Sequence, residues 1–312
     1  MQLKDILKKS FVDIPSSKPK IELPLDYVGI SNRPHYITII DPFNVSTKVT
    51  LLAQIRIMAN LPKNQRGLHM SRFETALHQL DQIKPTKLDT YSENLCSLVR
   101  DSQFVDICKV EITADYEKNV KEKNLSCEPS HELITLKANA EVNKNIKIKE
   151  IGVAVPFFNA CPCTQRWGMR DFYTFLKTKK IGKILSEELI KNAPFQAHTN
   201  RGILSLTVRN SKINYMDIYR ILEKTSPIIR ELLKGKDEHA LVKKGHALAM
   251  FCEDVAREAA LNTYLYLSTE PDKETQIKIK VDADESVHFH NLICEIDTTL
   301  RELASYLKNG NQ

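Results

Sequence analysis

Apolar residues along the chain repeat with two different periods, and the blocks alternate. Ser71 stands ahead of Phe73, Ala76, Leu77, Leu80 and Ile83, a stripe at helical spacing that stops before Pro85 and predicts a helix. Cys108, Val110, Ile112 and Ala114 alternate with Lys109, Glu111 and Thr113, and Leu136, Ala138, Ala140 and Val142 repeat the alternation. A period of two predicts half-buried strands, most simply antiparallel. A third strand-like run, 147–155, leads the chain to Cys161, whereas residues 1–35, punctuated by Lys and Pro, predict an arm followed by loop structure.

The second half has the same grain. An apolar run at 202–208 follows His198 and Arg201, and residues 215–224 and 226–234 predict two helices. The second would have Ser226 at its cap, Pro227 in its first turn and Gly235 at its close. Residues 247 to about 267 are again helical in pattern, Ile277, Ile279 and Val281 alternate with lysines, and Ile293, Ile296, Leu300, Leu303 and Leu307 form one apolar seam. The expected class is α+β, with two modules, 1–150 (including the arm) and 151–312, each a mainly antiparallel sheet backed by helices.

Composition narrows the function classes. A chain of 312 residues that is 42% hydrophobic and 27% charged can bury a full core. No apolar stretch reaches membrane-spanning length and no signal-type run follows Met1, which predicts a soluble, cytoplasmic protein without a membrane partner. Seven cysteines, an odd and scattered set, do not form a secreted disulfide framework. The charge of +6 is mild and unclustered, and aromatics make up only 7% of residues with a single Trp, so nucleic acid is not an expected partner.

Candidate chemistry concentrates in two segments. Cys161-Pro162-Cys163 places two thiols around a proline, and Glu285, His288 and His290 place a carboxylate ahead of two imidazoles. With His198 and Glu238 lying between, these are donor types that hold a borderline divalent metal. Each alone has a plainer explanation. The thiols lack the spacing of a zinc knuckle, His198 would pass for a loop histidine, and Glu238 and Glu253 for solvated helix positions.

Taken together, the segments resemble the type IB GTP cyclohydrolases. The resemblance rests on Gly67-Leu68-His69-Met70-Ser71-Arg72-Phe73, the Cys161-Pro162-Cys163 turn, Ala197-His198-Thr199-Asn200-Arg201, Lys236-Asp237-Glu238, Phe251 to Arg257, and Glu285 to His290, in that order. Bacterial members carry Ser-Lys after the second thiol and a short path to the histidine. Here Thr164-Gln165-Arg166 opens a longer segment, 166–195, which points to the archaeal branch that begins methanopterin synthesis.

The resemblance implies a bimodular tunnelling fold whose sheets close into a barrel when subunits associate as a homo-oligomer, dimer or tetramer, with active sites between subunits. It implies that GTP is opened at C8, that formate leaves, and that a dihydroneopterin phosphate forms. Cys161, His198 and Glu238 would hold Fe²⁺, or Zn²⁺ or Mn²⁺ in its place. Glu285 and His288 would be alternative ligands or proton carriers, and His290 would orient them. Glu253 would meet the guanine edge, Arg72, Arg201 and the lysines of 166–195 would balance the triphosphate, and His69 would be a further substrate-binding residue. Two other classes predict different residues: a deazaguanine nitrile reductase on the same fold requires a nicotinamide fingerprint that the chain lacks, and a structural zinc protein requires a closed four-ligand site.

Overall fold

A computed structural model of the chain describes residues 13–120, 130–144, 146–231, 235–268 and 274–309. Residues 1–12 of the expected arm and 232–234 of the second predicted helix lie outside the described residues. Eight strands follow one another in sequence order in a single open antiparallel sheet: β1 (Leu25–Ile40), β2 (Lys48–Leu61), β3 (Cys108–Val120), β4 (Ser130–Val142), β5 (Lys147–Ala160), β6 (Thr199–Arg209), β7 (Gln276–Asp284) and β8 (Leu292–Thr299). The chain divides into two compact units, Met1–Ala114 with Lys137–Ile151, and Asp115–Leu136 with Gly152–Gln312.

In the first unit, helices α1 (Met70–Asp81) and α2 (Leu88–Gln103) pack on each other and on β1 and β2. Phe73, Ala76, Leu77 and Leu80 are buried as their spacing predicts, while Ile83 lies beyond the helix and is exposed. The alternating residues of β3 and β4 face inward as expected. Strand β1 overturns the expectation of loop structure up to residue 35. It is an outer strand, where Pro34 opposite Gln54 is tolerated, and register shifts near Leu25 and Ile30 with Asn32 at φ 52° destroy the alternation that would have announced it. At Gly29 a Cβ would fall 1.8 Å from the Ile57 carbonyl oxygen, so that close approach requires glycine. Helix α2 has no side-chain cap at Lys87, which removed its start signal.

The second unit carries α3 (Pro162–Thr178), α4 (Lys183–Asn192), α5 (Tyr215–Thr225), α6 (Gly235–Ala247), α7 (Cys252–Leu267) and α8 (Leu300–Asn309). Helices α5 and α7 pack together, α5 also on β6 and α7 on β7 and β8, around Leu204, Leu206, Ile218, Leu222, Val255 and Ile279. Two sequence expectations fail here for the same reason. Residues 226–231 are extended rather than helical: Ser226, before a proline, sits at φ −148°, ψ 154°, and the segment pairs along β5 through Phe158 N–H to Pro227 O (3.0 Å) and Ile229 N–H to Pro156 O (2.9 Å). Gly235 begins a helix instead of closing one. The seam from Ile293 to Leu307 is likewise two elements, because Ala283 to Gln276 of β7 pair residue by residue with Leu292 to Thr299, and helix starts only at Leu300. In both places long-range backbone pairing overrides a local helical period.

Arg230, at the end of the extended segment, ion-pairs with Glu132, whose side chain is fully buried. The Tyr219 hydroxyl donates to the same carboxylate at 2.5 Å, and Lys118 Nζ stands 3.9 Å away. Among the described residues no helix is long and apolar enough to cross a membrane.

Candidate active site

Strands β5, β6 and β7 end together, and their ends carry the chemistry. Cys161 follows β5 directly as the N-cap of α3, with Pro162 in the first turn, where a missing N–H costs nothing. Its backbone N–H donates to the carbonyl of His198 at 3.0 Å, which ties the thiol-bearing turn to the residue before β6. The positive end of the helix dipole lies at this half-buried thiol, favouring an anion there. Cys163, one position into the helix, is exposed.

Strands β6 and β7 pair from Arg201 opposite Asp284 onward, so Glu285 leaves β7 beside the start of β6. At Gly202 a Cβ would lie 2.3 Å from the Asp282 carbonyl oxygen and 2.6 Å from the Phe157 ring, so only glycine lets the strands approach this closely. His198 Nδ1 and Glu285 Oε1 are 3.1 Å apart, with the side chains 16% and 4% exposed. The contact lacks hydrogen-bond alignment, and the buried Nδ1 has no hydrogen-bond partner among the described residues. Glu285 also receives the backbone N–H groups of Ser286 (2.9 Å) and Val287 (3.4 Å) and the Asn200 amide (3.2 Å). Burial pushes its pKa up, but these donors and His198 outweigh that and hold the carboxyl below its usual value.

The loop after Glu285 is closed by Asn291, which accepts from Glu285 N–H and donates to Asp284. It stacks His288 on His290 at 5.3 Å and sets His288 edge-on to His198 at 6.2 Å. Helix α7 brings Cys252 and Glu253 to the same neighbourhood: the Cys252 thiol is pushed up to about 11 by burial, then by Cys294, Glu253 and Glu285. Glu253 is exposed and has no hydrogen-bond or ion-pair partner among the described residues. Asn159, at the end of β5, supports the start of α7 by donating to Met250 O at 3.0 Å.

Other residues singled out from sequence lie elsewhere. Glu238 is exposed in the first turn of α6, whose far end is held by Gln165 donating to His246 O. Arg201 points to the opposite face of β6 from Asn200, into a cleft of about 570 Å³ lined also by Asp115, His131, Ile203 and Arg230. His69 and Arg72 belong to the first unit. His69 Nε2 lies 3.2 Å from Ser16 Oγ and 3.5 Å from Asp13, and Arg72 donates to Ser102 O at 2.8 Å. Among the described residues, no three His, Cys, Asp or Glu side chains are gathered closely enough to hold a metal ion. The donor types nevertheless suit one, because His198 presents a buried nitrogen with no hydrogen-bond partner among the described residues 3.1 Å from the Glu285 carboxylate, and its backbone carbonyl holds the turn that bears the Cys161 thiol. Asn200 is the site residue that motif reasoning passed over. Its signal was alternation, since it is buried in β6 where its neighbour Arg201 is exposed.

Comparison with known proteins places the chain in a family. The chain is similar over 96% of its length to a GTP cyclohydrolase MptA of Methanococcoides burtonii, at 28% identity and covering 98% of that protein. It is 27% identical to the GTP cyclohydrolase MptA of Methanocaldococcus jannaschii, over 94% of this chain and 98% of that one. Among solved structures, uricase from Arthrobacter globiformis superposes with a TM-score of 0.51 at 8% identity, covering 90% of this chain and 96% of uricase. That likeness concerns the fold alone and agrees with the expected tunnelling fold. Residues 11–294 match the family described as type I GTP cyclohydrolase folE2, and with most of its length matched the chain belongs to that family.

Proposed function

We propose that this GTP cyclohydrolase opens the guanine imidazole ring of GTP by metal-assisted hydrolysis at C8, releasing formate and forming a 7,8-dihydroneopterin phosphate. In the archaeal manner the product would be the 2',3'-cyclic phosphate, at the entry to methanopterin synthesis. The observation that carries the reading is the contact of His198 with Glu285 where β6 begins and β7 ends, with the His198 carbonyl holding the turn that bears Cys161 and its buried imidazole nitrogen lacking a hydrogen-bond partner among the described residues.

Cys161 and His198 would hold the ion with a carboxylate, either Glu238, exposed in the first turn of α6, or Glu285 beside His198, and with His288 as a further alternative donor; Fe²⁺ is the proposed metal, and Zn²⁺ and Mn²⁺ suit the same S, N, O set. A divalent ion there supplies the Lewis acidity that makes water a competent nucleophile at neutral pH. Glu285, kept anionic by its N–H donors, accepts a proton from the attacking water, and His288 passes one toward the purine nitrogen. His290, stacked on His288, fixes its orientation. Glu253 accepts from the guanine N1–H and 2-amino group, a bidentate match for a carboxylate. Arg72, Arg201 and the lysines of 166–195 balance the triphosphate, with His69 as a further substrate contact; His69 and Arg72, from the first unit, and Arg201, which faces away from His198, are assigned to a neighbouring subunit's site in a homo-oligomer.

Anaerobically purified protein incubated with GTP and Fe²⁺ should yield formate and, after oxidation, a fluorescent pterin. Chelated protein should be inert until Fe²⁺ is restored. Full activity after exhaustive chelation refutes the metal-assisted reading, and NADPH-dependent nitrile reduction without formate would place the protein in another class.

A further inference from the structure

Asn200 is only 7% exposed and stands second in β6, two residues after His198. Its Nδ2 donates to Glu285 Oε2 at 3.2 Å, while its Oδ1 is buried and has no hydrogen-bond donor among the described residues. The amide cannot be turned round to cure this, because the oxygen would then face a carboxylate that has only acceptors to offer. Unmatched buried acceptors are costly and rare, and an apolar side chain on a strand would fill the space without that cost. The arrangement therefore calls for a donor that enters with the reaction, and the ligand with an O–H to give at this place is water.

We propose that Asn200 is a further catalytic residue: its Nδ2 clamps Glu285, and its Oδ1 accepts a hydrogen bond from the attacking water, aiming that water's lone pair. The amide takes no proton; it orients one O–H while the other faces Glu285. The assignment rests on the GTP cyclohydrolase reading given above. It adds a residue that has no charge and no metal-ligand chemistry of its own.

The test uses full-length Asn200→Leu, with Asn200→Ala in reserve should circular dichroism show the first misfolded. Against parent protein, kcat for formate release should fall about tenfold or more while KM for GTP stays within about twofold, the pattern for an interaction made in the transition state. Co²⁺ added to metal-free protein and followed by its visible absorption should bind about tenfold more weakly, as for loss of an outer-sphere support. A kcat within about twofold of parent at saturating metal overturns the proposal, as does a rise in KM alone. If parent protein itself releases no formate from GTP, the functional reading fails, and Co²⁺ binding then decides separately: unchanged affinity overturns the Glu285 clamp.

Discussion

Replacing Arg230 by Met tests whether residues 226–231 are extended, as found, or helical, as their sequence suggests. The Arg230 side chain is 14% exposed and pairs with the fully buried Glu132. Removing one partner of such a pair costs about 3–5 kcal/mol, because the remaining charge keeps its desolvation penalty. Here Glu132 would retain the Tyr219 hydroxyl at 2.5 Å and Lys118 at 3.9 Å, so the cost should fall near the lower end, about 3 kcal/mol. That is about two decades in the folding equilibrium. With a urea slope of about 2–3 kcal/mol/M, the midpoint should drop by about 1 M or more. Far-UV circular dichroism in urea reads it directly. On a helix surface the same change would stay within about 0.5 kcal/mol, so a shift that small would refute the buried-pair account. The double variant Glu132→Leu with Arg230→Met should recover part of the loss, since the buried carboxylate is gone and only Lys118 loses a counter-charge.

Further outcomes follow from the site and from the first unit. Cys161→Ala should abolish metal retention and turnover, whereas Cys163→Ala, altering an exposed thiol, should leave activity measurable; equal loss by metal analysis would overturn the choice of thiolate. Glu253→Gln should weaken GTP-analogue binding by about tenfold in calorimetry, through a mismatched polar contact, with metal content unchanged. Glu238→Gln should lower metal content first, and the reverse pattern would show the two carboxylates exchanged. Arg33 holds Glu74 through Nε and Nη2 at 3.0 and 2.9 Å, and this hydrogen bonding keeps the Glu74 carboxyl below its ordinary 4.5. A depressed carboxyl stabilises the fold above its unfolded pKa and loses that as pH falls through the folded one. Arg33→Ala should therefore cost about 0.2–1 kcal/mol at pH 7, discounted because both side chains are a third or more exposed, and nothing well below pH 4; a constant difference in melting temperature across that range would count against it.

Local pattern alone determined α1, β3, β4, β7 and the body of β5, because each has an uninterrupted period and one buried face. Only the order of the segments together, through their resemblance to a family, singled out Cys161, His198, Glu238, Glu253, Glu285, His288 and His290 as candidate chemistry, because each alone has a plainer explanation. Tertiary structure decided the rest. Bulges and an outer-strand proline hid β1, and backbone pairing with β5 made residues 226–231 extended while pairing with β7 did so for the first half of the seam at 293–307, because hydrogen bonds from distant residues outweigh a weak local preference. Only the register of β6 on β7 brings Asn200 and His198 against Glu285, separated by more than eighty residues of chain, and only alternation along β6 turns Arg201 away from them. A site assembled from strand ends is set by which strands pair and in what register, and residue spacing along the chain does not contain that information.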